Sequence, residues 1–208
     1  MRPSRPVAAG LLIDMDGVLR RWDPRVPVSV EERYGLPVGT LRRTAFAPSR
    51  VTPAVTGQIS HADWMNGVAE AIGEPAAVTE WETYRGEADP EVLEFVREVR
   101  AAGIRVGLAT NATDRLDADL ALLGLVGELD EVINSSIVGF AKPAASYFAA
   151  ACARLGVPPR ECLFVDDSER FVNGARAAGL SAFRWTGPSD LPYLRAALGL
   201  TTVSPPPK

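Results

Sequence analysis

The chain has 208 residues, of which 47% are hydrophobic and 23% are charged, and its formal net charge is -4 at pH 7. These proportions are typical of a soluble globular protein with one core domain and an insertion, or with two small domains, and they exclude a disordered chain. The excess of acidic residues argues against a nucleic-acid-binding protein, which usually presents a basic face.

The first predicted element is a strand. Arg2 and Arg5 precede a short apolar run, Val7–Ile13, and Asp14 follows it at once. The run is too short to cross a membrane, and no signal-peptide cleavage pattern accompanies it. We therefore expect a cytoplasmic protein with no membrane partner, in which Val7–Ile13 forms a buried strand.

The segment from Arg20 to Ala88 contains no convincing strand. The stretch from Ser60 to Asp63 resembles a capping box and predicts a helix that ends at Gly73. A second helix is predicted over Ala76–Tyr84. We interpret the segment as a helical insertion after the first strand, and an irregular first crossover connection is the alternative.

Downstream of this segment, short apolar runs alternate with helical patterns. The predicted strands are Ile104–Ala109, Glu131–Ile133, Cys162–Val165 and Ser181–Trp185. The predicted helices are Asp89–Gly103, Asp114–Leu123, Ala144–Leu155, Glu169–Ala178 and Leu191–Leu198. The apolar runs are continuous, as in strands that are buried on both faces. The alternation predicts an α/β fold with a parallel sheet and helices on both of its faces.

Polar side chains follow the ends of the predicted strands. Asp14-Met15-Asp16-Gly17 follows the first run, Thr110-Asn111 and Asp166-Asp167 follow later ones, and Lys142-Pro143 follows a loop. Ligands of open parallel sheets bind beyond the carboxyl ends of the strands. Each fragment alone is a weak signal, because acidic pairs often form turns or helix caps. Together, each near a strand end, they predict one shared site.

The chemistry of this set is that of a metal and an anion. Four carboxylates held close together repel one another, and a hard cation with oxygen ligands such as Mg²⁺ is the usual remedy. A metal beside a lysine attracts an anion. Phosphate suits such a site because its charge is spread over oxygens that bind cations and hydrogen-bond donors. A carboxylate such as Asp14 can attack phosphorus when it is held in line, and Asp16 is placed to supply a proton to the leaving oxygen.

At this point the sequence resembles the haloacid dehalogenase superfamily, and specifically its phosphatase members. The resemblance covers Leu11 to Leu19 and about Asp89 to Trp185. It implies a Rossmann-like, doubly wound, mainly parallel sheet with helices on both faces, plus a small all-α cap domain. The implied domains are a core of residues 1–19 and 89–200, a helical cap of residues 20–88 and a flexible tail of residues 201–208.

The resemblance also implies a role for each strand-end residue. Asp14 is the expected nucleophile and a Mg²⁺ ligand, and Asp16 is the expected general acid and base, with its backbone carbonyl on the metal. The remaining expected roles are phosphoryl binding for Thr110 and Asn111, charge neutralisation for Lys142, and Mg²⁺ ligation for Asp166 and, directly or through water, for Asp167.

The activity that the resemblance implies is Mg²⁺-dependent hydrolysis of a small phosphorylated metabolite through an aspartyl-phosphate intermediate. A phosphomutase of the same superfamily is the nearest alternative. A dehalogenase is disfavoured because members of that kind lack the acid found here at Asp16. A phospho-accepting signalling domain or a catalytically inactive binding domain is disfavoured by the order and completeness of the motifs. The sequence leaves the substrate and the oligomeric state open.

Several other residues have a simpler expected role. His61 is expected to be solvated or to cap its helix, and Arg20 and Arg21 are expected to form a solvated hinge, with contact to the substrate as the alternative. Trp64, Trp81 and Tyr84 are expected to pack in the core of the insertion, with a substrate-facing aromatic as the alternative. Cys152 and Cys162 are expected to be buried, reduced thiols.

Overall fold

The structure is a computed structural model, in which residues 8–200 are described. Its strands, in chain order, are β1 (Gly10–Ile13), β2 (Arg20–Arg21), β3 (Glu87–Ala88), β4 (Arg105–Thr110), β5 (Glu131–Asn134), β6 (Cys162–Asp166) and β7 (Ser181–Arg184). Its helices are α1 (Arg25–Arg33), α2 (Thr40–Ala45), α3 (Pro48–Val55), α4 (His61–Ile72), α5 (Pro75–Thr83), α6 (Pro90–Ala101), α7 (Leu116–Leu122), α8 (Ser135–Val138), α9 (Ala145–Leu155), α10 (Glu169–Ala177) and α11 (Leu191–Ala197). None of the helices between residues 8 and 200 has the length and apolar content that a bilayer crossing requires.

The main sheet is parallel and has the strand order β5-β4-β1-β6-β7 within the described residues. Strand β1 lies at its centre, where Ile13 pairs with Leu108 of β4 on one side and with Val165 of β6 on the other. The predicted parallel α/β fold is therefore confirmed. The five predicted helices after residue 88 are also present, and each end lies within two residues of the predicted one.

Both faces of the sheet are covered by apolar side chains. Leu11 and Ile13 point into one hydrophobic cluster with Phe95, and Leu12 points into a second cluster with Phe148. Successive side chains of a strand point to opposite faces, so a strand covered on both sides needs every residue apolar. This explains why the apolar runs in the sequence are continuous.

The segment from Arg20 to Ala88 differs from the prediction in two respects. It contains two short strands, since β2 and β3 pair antiparallel with Arg20 opposite Ala88 and Arg21 opposite Glu87. The expectation of no strand was wrong, because two residues are too few to produce a periodic signal. The segment also begins with three helices, α1 to α3, that we did not predict, and Pro27 and Pro53 lie inside two of them.

Helices of this segment pack around a hydrophobic cluster of their own. Its buried members are Val30, Leu41, Ala45, Ala54, Trp64, Met65, Val68, Ala77 and Val78. The predicted capping box is confirmed, because Ser60 accepts a hydrogen bond from the backbone of Asp63 at the start of α4. The boundaries of the core at residues 1–19 and 89–200 and of the cap at 20–88 stay a prediction. Val7 and the predicted tail of residues 201–208 lie outside the described residues.

Gly174 in α10 lies where this helix packs against Pro143, the residue after Lys142. A Cβ atom at position 174 would be 2.5 Å from Pro143 Cβ and 2.8 Å from the Pro143 carbonyl oxygen. We expect Gly174→Ala to lower the free energy of unfolding by about 1–3 kcal/mol, because the helix must move away from the lysine loop. Urea denaturation followed by circular dichroism measures the change.

Gly67 provides the matched control. It lies inside α4, and no described atom outside the helix backbone comes within 4 Å of a Cβ placed there. Gly67→Ala should raise the free energy of unfolding by about 0.5–1 kcal/mol, because alanine has the higher helix propensity. Changes of the same sign at both positions would contradict the packing argument.

Candidate active site

The carboxyl ends of β1, β4 and β6 lie side by side and present polar side chains at one edge of the sheet. Asp14 follows β1, Thr110 is the last residue of β4 and Asp166 is the last residue of β6. Lys142 reaches the same place from the loop between α8 and α9. The convergence expected from the strand-end positions is therefore observed for these residues.

Lys142 lies between two carboxylates. Its Nζ atom is 2.7 Å from Asp14 Oδ1 and 2.7 Å from Asp166 Oδ2, and all three residues are buried. Burial alone would lower the pKa of Lys142, but the two carboxylates raise it above its ordinary value, so the amine is charged. Burial raises the pKa of Asp14 to about 8, against the opposing effect of Lys142.

The two carboxylates differ in how many of their oxygens are engaged. Asp14 Oδ1 also accepts a hydrogen bond from the Met15 backbone at 2.7 Å, whereas no described residue donates to Asp14 Oδ2. In Asp166, Oδ2 accepts from Lys142 and Oδ1 accepts from the Ser168 backbone at 2.8 Å. Asp14 therefore keeps one oxygen available for a ligand or for attack.

A third carboxylate completes an acidic group. Asp14, Asp166 and Asp167 each offer an oxygen, and these atoms lie within 4.8 Å of one another. Burial and the charge of Asp166 raise the pKa of Asp167, as expected when acids are crowded without a cation. Gly17 lies against this group, because a Cβ there would be 2.3 Å from Asp167 Oδ2. The side chain of Asp16 is not a member of the group, and metal binding by its backbone carbonyl stays a prediction.

Asp16 is held by two donors. Its Oδ1 atom accepts hydrogen bonds from Arg20 Nε at 2.6 Å and from Trp22 Nε1 at 2.7 Å, and its side chain remains 45% exposed. Among the described residues, none donates to Asp16 Oδ2. The expectation that Arg20 is solvated was wrong, because only 5% of this residue is exposed and its guanidinium is engaged on both sides.

Asp119 of α7 is the second partner of Arg20 and was not predicted from the sequence. Its carboxylate accepts from Arg20 Nη1 at 3.0 Å and from Arg85 Nη2 at 2.6 Å. Burial tends to raise the pKa of Asp119, but Arg85 and Arg20 outweigh it and lower the pKa below the ordinary value. Arg20 lies in β2 and Arg85 lies two residues before β3, so the carboxylate of Asp119 connects the two ends of the helical segment.

We expect Asp119→Asn to lower the free energy of unfolding by about 3 kcal/mol, because it leaves the buried guanidinium of Arg20 without one of its charge partners. Asp117→Asn is the control, since Asp117 lies on the same helix, is exposed and forms no ion pair with the described residues. The control should change stability by less than about 0.5 kcal/mol in urea denaturation. Equal effects would contradict a structural role for the buried carboxylate.

Thr110 and Asn111 occupy different positions at the site. Thr110 is buried at the end of β4 and lines the cavity described below, and its hydroxyl has no hydrogen-bond partner among residues 8–200. The Asn111 side chain instead forms two hydrogen bonds with the backbone of Lys142. It accepts one from the Lys142 N–H at 2.8 Å and donates one to the Lys142 carbonyl at 3.1 Å. In this structure Asn111 therefore positions Lys142, whereas contact of either residue with a phosphoryl group stays a prediction.

A cavity of about 1040 Å³ opens above the strand ends. Asp14, Asp16, Lys142 and Asp167 line its floor, and Phe46 together with residues of α3 to α5 lines the opposite side. The site is thus enclosed between the sheet and the helical segment. Trp64 is buried in the hydrophobic cluster of this segment, and Trp64, Trp81 and Tyr84 all line the cavity as well.

His61, the single histidine in the sequence, also lies beside the cavity. Its side chain is 13% exposed, with Nδ1 at 3.1 Å from Thr113 Oγ1 and Nε2 in contact with Glu82. The expectation of a solvated or capping histidine was wrong, because Ser60 caps α4 and long-range contacts with α5 and with the loop after β4 cover the ring. Cys152 and Cys162 are free and buried, as expected.

The parallel sheet, the helical segment after β1 and the acidic site at the strand ends together define a Rossmann-like α/β protein with a candidate metal site at the edge of its sheet. The chain belongs to the haloacid dehalogenase-like hydrolase family, whose profile matches residues 9–179. This confirms the resemblance that the sequence motifs indicated.

Several curated proteins are similar to the chain. It is 35% identical over 96 residues to Phosphatase MT3486 of Mycobacterium tuberculosis, an alignment that covers 45% of the chain and 44% of that protein. It is 29% identical over 182 residues to the fructose-1-phosphate phosphatase YqaB of Escherichia coli, covering 84% of the chain and 94% of that protein. Several of these matches cover less than half of the relative's length, and one covers 17% of the chloroplastic protein SUPPRESSOR OF QUENCHING 1 of Arabidopsis thaliana.

Solved structures share the fold at lower identity. The HAD family enzyme BT-2542 of Bacteroides thetaiotaomicron has a TM-score of 0.73 and 21% identity, over 89% of this chain and 97% of that one. Another crystal structure of that enzyme contains magnesium and inorganic phosphate. An L-2-haloacid dehalogenase from Xanthobacter autotrophicus has a TM-score of 0.66 and 22% identity, over 94% of this chain and 85% of that one.

Proposed function

We propose that the protein is a Mg²⁺-dependent phosphomonoester hydrolase that acts on a small phosphorylated metabolite through an aspartyl-phosphate intermediate. The observation that carries the proposal is the buried Lys142 amine between Asp14 and Asp166, beside an Asp14 oxygen that receives no hydrogen bond from the described residues. Relatives named as fructose-1-phosphate and phosphoglycolate phosphatases support it.

The acidic group fits a divalent cation. Asp14, Asp166 and Asp167 offer three oxygens within 4.8 Å, and Mg²⁺ prefers oxygen ligands from few carboxylates. The raised pKa values of the buried Asp14 and of the exposed Asp167 reflect desolvation and the crowding of carboxylates, and a bound cation would lower both pKa values. When bound, Mg²⁺ would keep Asp14 ionised and withdraw charge from the phosphoryl oxygens. The residues that would hold it are Asp14, Asp166 and Asp167, with the backbone carbonyl of Asp16.

In the first proposed step, Asp14 Oδ2 attacks the phosphorus atom of the ester. A bond forms between this oxygen and phosphorus while the bond from phosphorus to the ester oxygen breaks. Asp16 donates a proton to that ester oxygen, which leaves as an alcohol. Arg20 and Trp22 hold Asp16 through Oδ1, which leaves Oδ2 to carry the proton.

In the second proposed step, water releases the phosphate. Asp16, now a carboxylate, takes a proton from water as the water oxygen bonds to phosphorus. The bond between phosphorus and Asp14 breaks, so that inorganic phosphate leaves and both aspartates return to their initial state. Lys142 offsets the negative charge in both steps, and the Thr110 hydroxyl is free to donate to a phosphoryl oxygen.

Residues 20–88 would serve as a cap over this chemistry. Helices of this segment have their own hydrophobic cluster and form the wall of the cavity opposite Asp14. A cap of this kind excludes water from the intermediate and contacts the leaving group of the substrate. The division into core, residues 1–19 and 89–200, and cap is part of this proposal.

Phosphate release tests the proposed function. The purified protein is incubated with sugar phosphates, phosphoglycolate, nucleotides and phosphorylated cofactors, with Mg²⁺ or with a chelator. We expect release from at least one ester, dependent on Mg²⁺. Release that is undiminished by chelation would contradict the metal requirement, and turnover of 2-haloacids without phosphatase activity would contradict the reaction class.

A further inference from the structure

We propose that the cavity selects phosphomonoesters whose leaving group is large, apolar and uncharged, and that Phe46 and Phe140 contact this group. The inference rests on the proposed phosphatase function and specifies its substrate class. It follows from the lining of the cavity, the exposure of these two aromatic rings and the pairing of three of the four lysine and arginine side chains that line the cavity.

The wall of the cavity away from the strand ends is largely apolar. Its apolar lining residues include Phe46, Pro48, Val51, Val55, Trp64, Met65, Trp81, Leu116 and Phe140. The same cavity is lined by Asp14 and Lys142, so the apolar wall is continuous with the site proposed for phosphoryl transfer. A phosphoryl group on the floor therefore directs its ester substituent towards this wall.

Two aromatic side chains are poorly covered by the protein itself. Phe46, which follows α2, is 49% exposed, and Phe140, in the loop before Lys142, is 50% exposed. They come from opposite sides of the cavity, one from the helical segment and one from the sheet side. The Phe46 ring packs edge to face on Trp64, with centroids 5.8 Å apart, and the guanidinium carbon of Arg42 lies 5.4 Å from the Phe46 centroid. An apolar substituent that reaches these two rings would reduce their exposure.

The charges of the lining disfavour a second anionic group on the substrate. Five carboxylates and four lysine or arginine side chains line the cavity. Three of these cations are already paired, Lys142 with Asp14 and Asp166, Arg20 with Asp16 and Asp119, and Arg85 with Asp119. A second phosphate or a carboxylate would have to break these pairs or approach Glu82 and Asp119.

Arg170 is the fourth cation, and the ring of its neighbour Phe171 lies 5.1 Å from Lys142 Nζ, so this part of α10 lies near the strand ends. Arg170 is exposed, and its guanidinium carbon is 6.0 Å from the ring of Phe171, next to it in the chain. Its position at the start of α10 follows Asp166 and Asp167 closely.

The size of the cavity also favours a large leaving group. Its volume of about 1040 Å³ is that of cavities for drug-sized ligands, roughly 300–1,000 Å³, and exceeds what a two-carbon leaving group fills.

The test compares two esters of primary alcohols, so that their intrinsic reactivity is matched. With Mg²⁺, we expect kcat/KM for 2-(2-naphthyl)ethyl phosphate to exceed that for ethyl phosphate by at least about tenfold, because a large apolar group is removed from water. Phosphoglycolate should be a poorer substrate than ethyl phosphate. A preference for phosphoglycolate, or equal values for the two matched esters, would overturn the inference while leaving the phosphatase proposal standing.

Variants connect the preference to the two rings. Phe46→Ala and Phe140→Ala should each reduce the ratio of the two kcat/KM values by about tenfold. Val38→Ala is the control, because Val38 is 62% exposed but does not line the cavity, and the ratio should be unchanged. An unchanged ratio in both phenylalanine variants would overturn the assignment of these rings.

A binding measurement on the unmodified protein tests the same preference without depending on the folding of a variant. With Mg²⁺, 3-(2-naphthyl)propylphosphonate should bind the unmodified protein more tightly than propylphosphonate, with a more negative heat-capacity change. Equal affinities would overturn the inference. Absence of phosphate release from every ester would overturn the proposed function itself, and with it the substrate class.

Discussion

Asp14→Asn is expected to reduce Mg²⁺-dependent phosphate release by at least about a thousandfold, because an amide cannot attack phosphorus and form the covalent intermediate. The substitution keeps the size of the side chain, and Lys142 retains Asp166 at 2.7 Å, so the variant should remain folded. Initial rates with the best ester of the substrate panel measure the effect, and circular dichroism checks the fold.

A second measurement separates loss of the nucleophile from loss of binding. Rapid quenching of the unmodified enzyme during turnover of a ³²P-labelled ester should trap acid-stable label on the protein, and Asp14→Asn should trap none. Asp117→Asn, on the exposed face of α7, should leave both rate and label unchanged. Full activity of Asp14→Asn would remove Asp14 from the reaction and end the proposed mechanism.

Lys142→Met should have the largest effect on stability. It removes a buried cation that lies 2.7 Å from each of two buried carboxylates, which then face each other without compensation. In the presence of a chelator we expect the free energy of unfolding to fall by about 3–5 kcal/mol. Mg²⁺ should restore part of this loss, because a divalent cation offsets the same carboxylates. Urea denaturation with and without Mg²⁺ measures both effects.

Arg154→Met is the matched control. Arg154 also forms an ion pair at 2.7 Å, with Glu131, but its side chain is 44% exposed. Surface pairs contribute about 0–1 kcal/mol, so the control should change little and should not respond to Mg²⁺. If Lys142→Met were no more destabilised than Arg154→Met, the lysine would not be the neutralising group of the site.

The sequence was sufficient for the parts of the site that depend on local signals. Asp14, Thr110 and Asp166 each follow or end a run of apolar residues, and a parallel sheet brings the ends of such runs to one edge. The buried location of Lys142 and its two carboxylate partners agree with that reasoning. The catalytic and binding roles of these residues stay predictions until activity is measured.

The parts that the sequence did not reveal depend on long-range contacts. Arg20 and Asp119 are 99 positions apart in the chain, and no local pattern links a basic residue after the first motif with an acid on a later helix. The pairing of β2 with β3 likewise joins residues far apart in the chain, and each strand has only two residues. Helices α1 and α3 were missed because proline inside a helix resembles a break in the sequence.

The β2–β3 pair has a consequence for engineering of the helical segment. The helical segment leaves the sheet and returns to it at neighbouring positions, with Asp89 N–H bonded to the Leu19 carbonyl at 2.8 Å. Closing such a short gap places almost no constraint on the length or shape of what lies between. Modules of different size can therefore be exchanged at this junction while the spacing of the parallel strands is preserved.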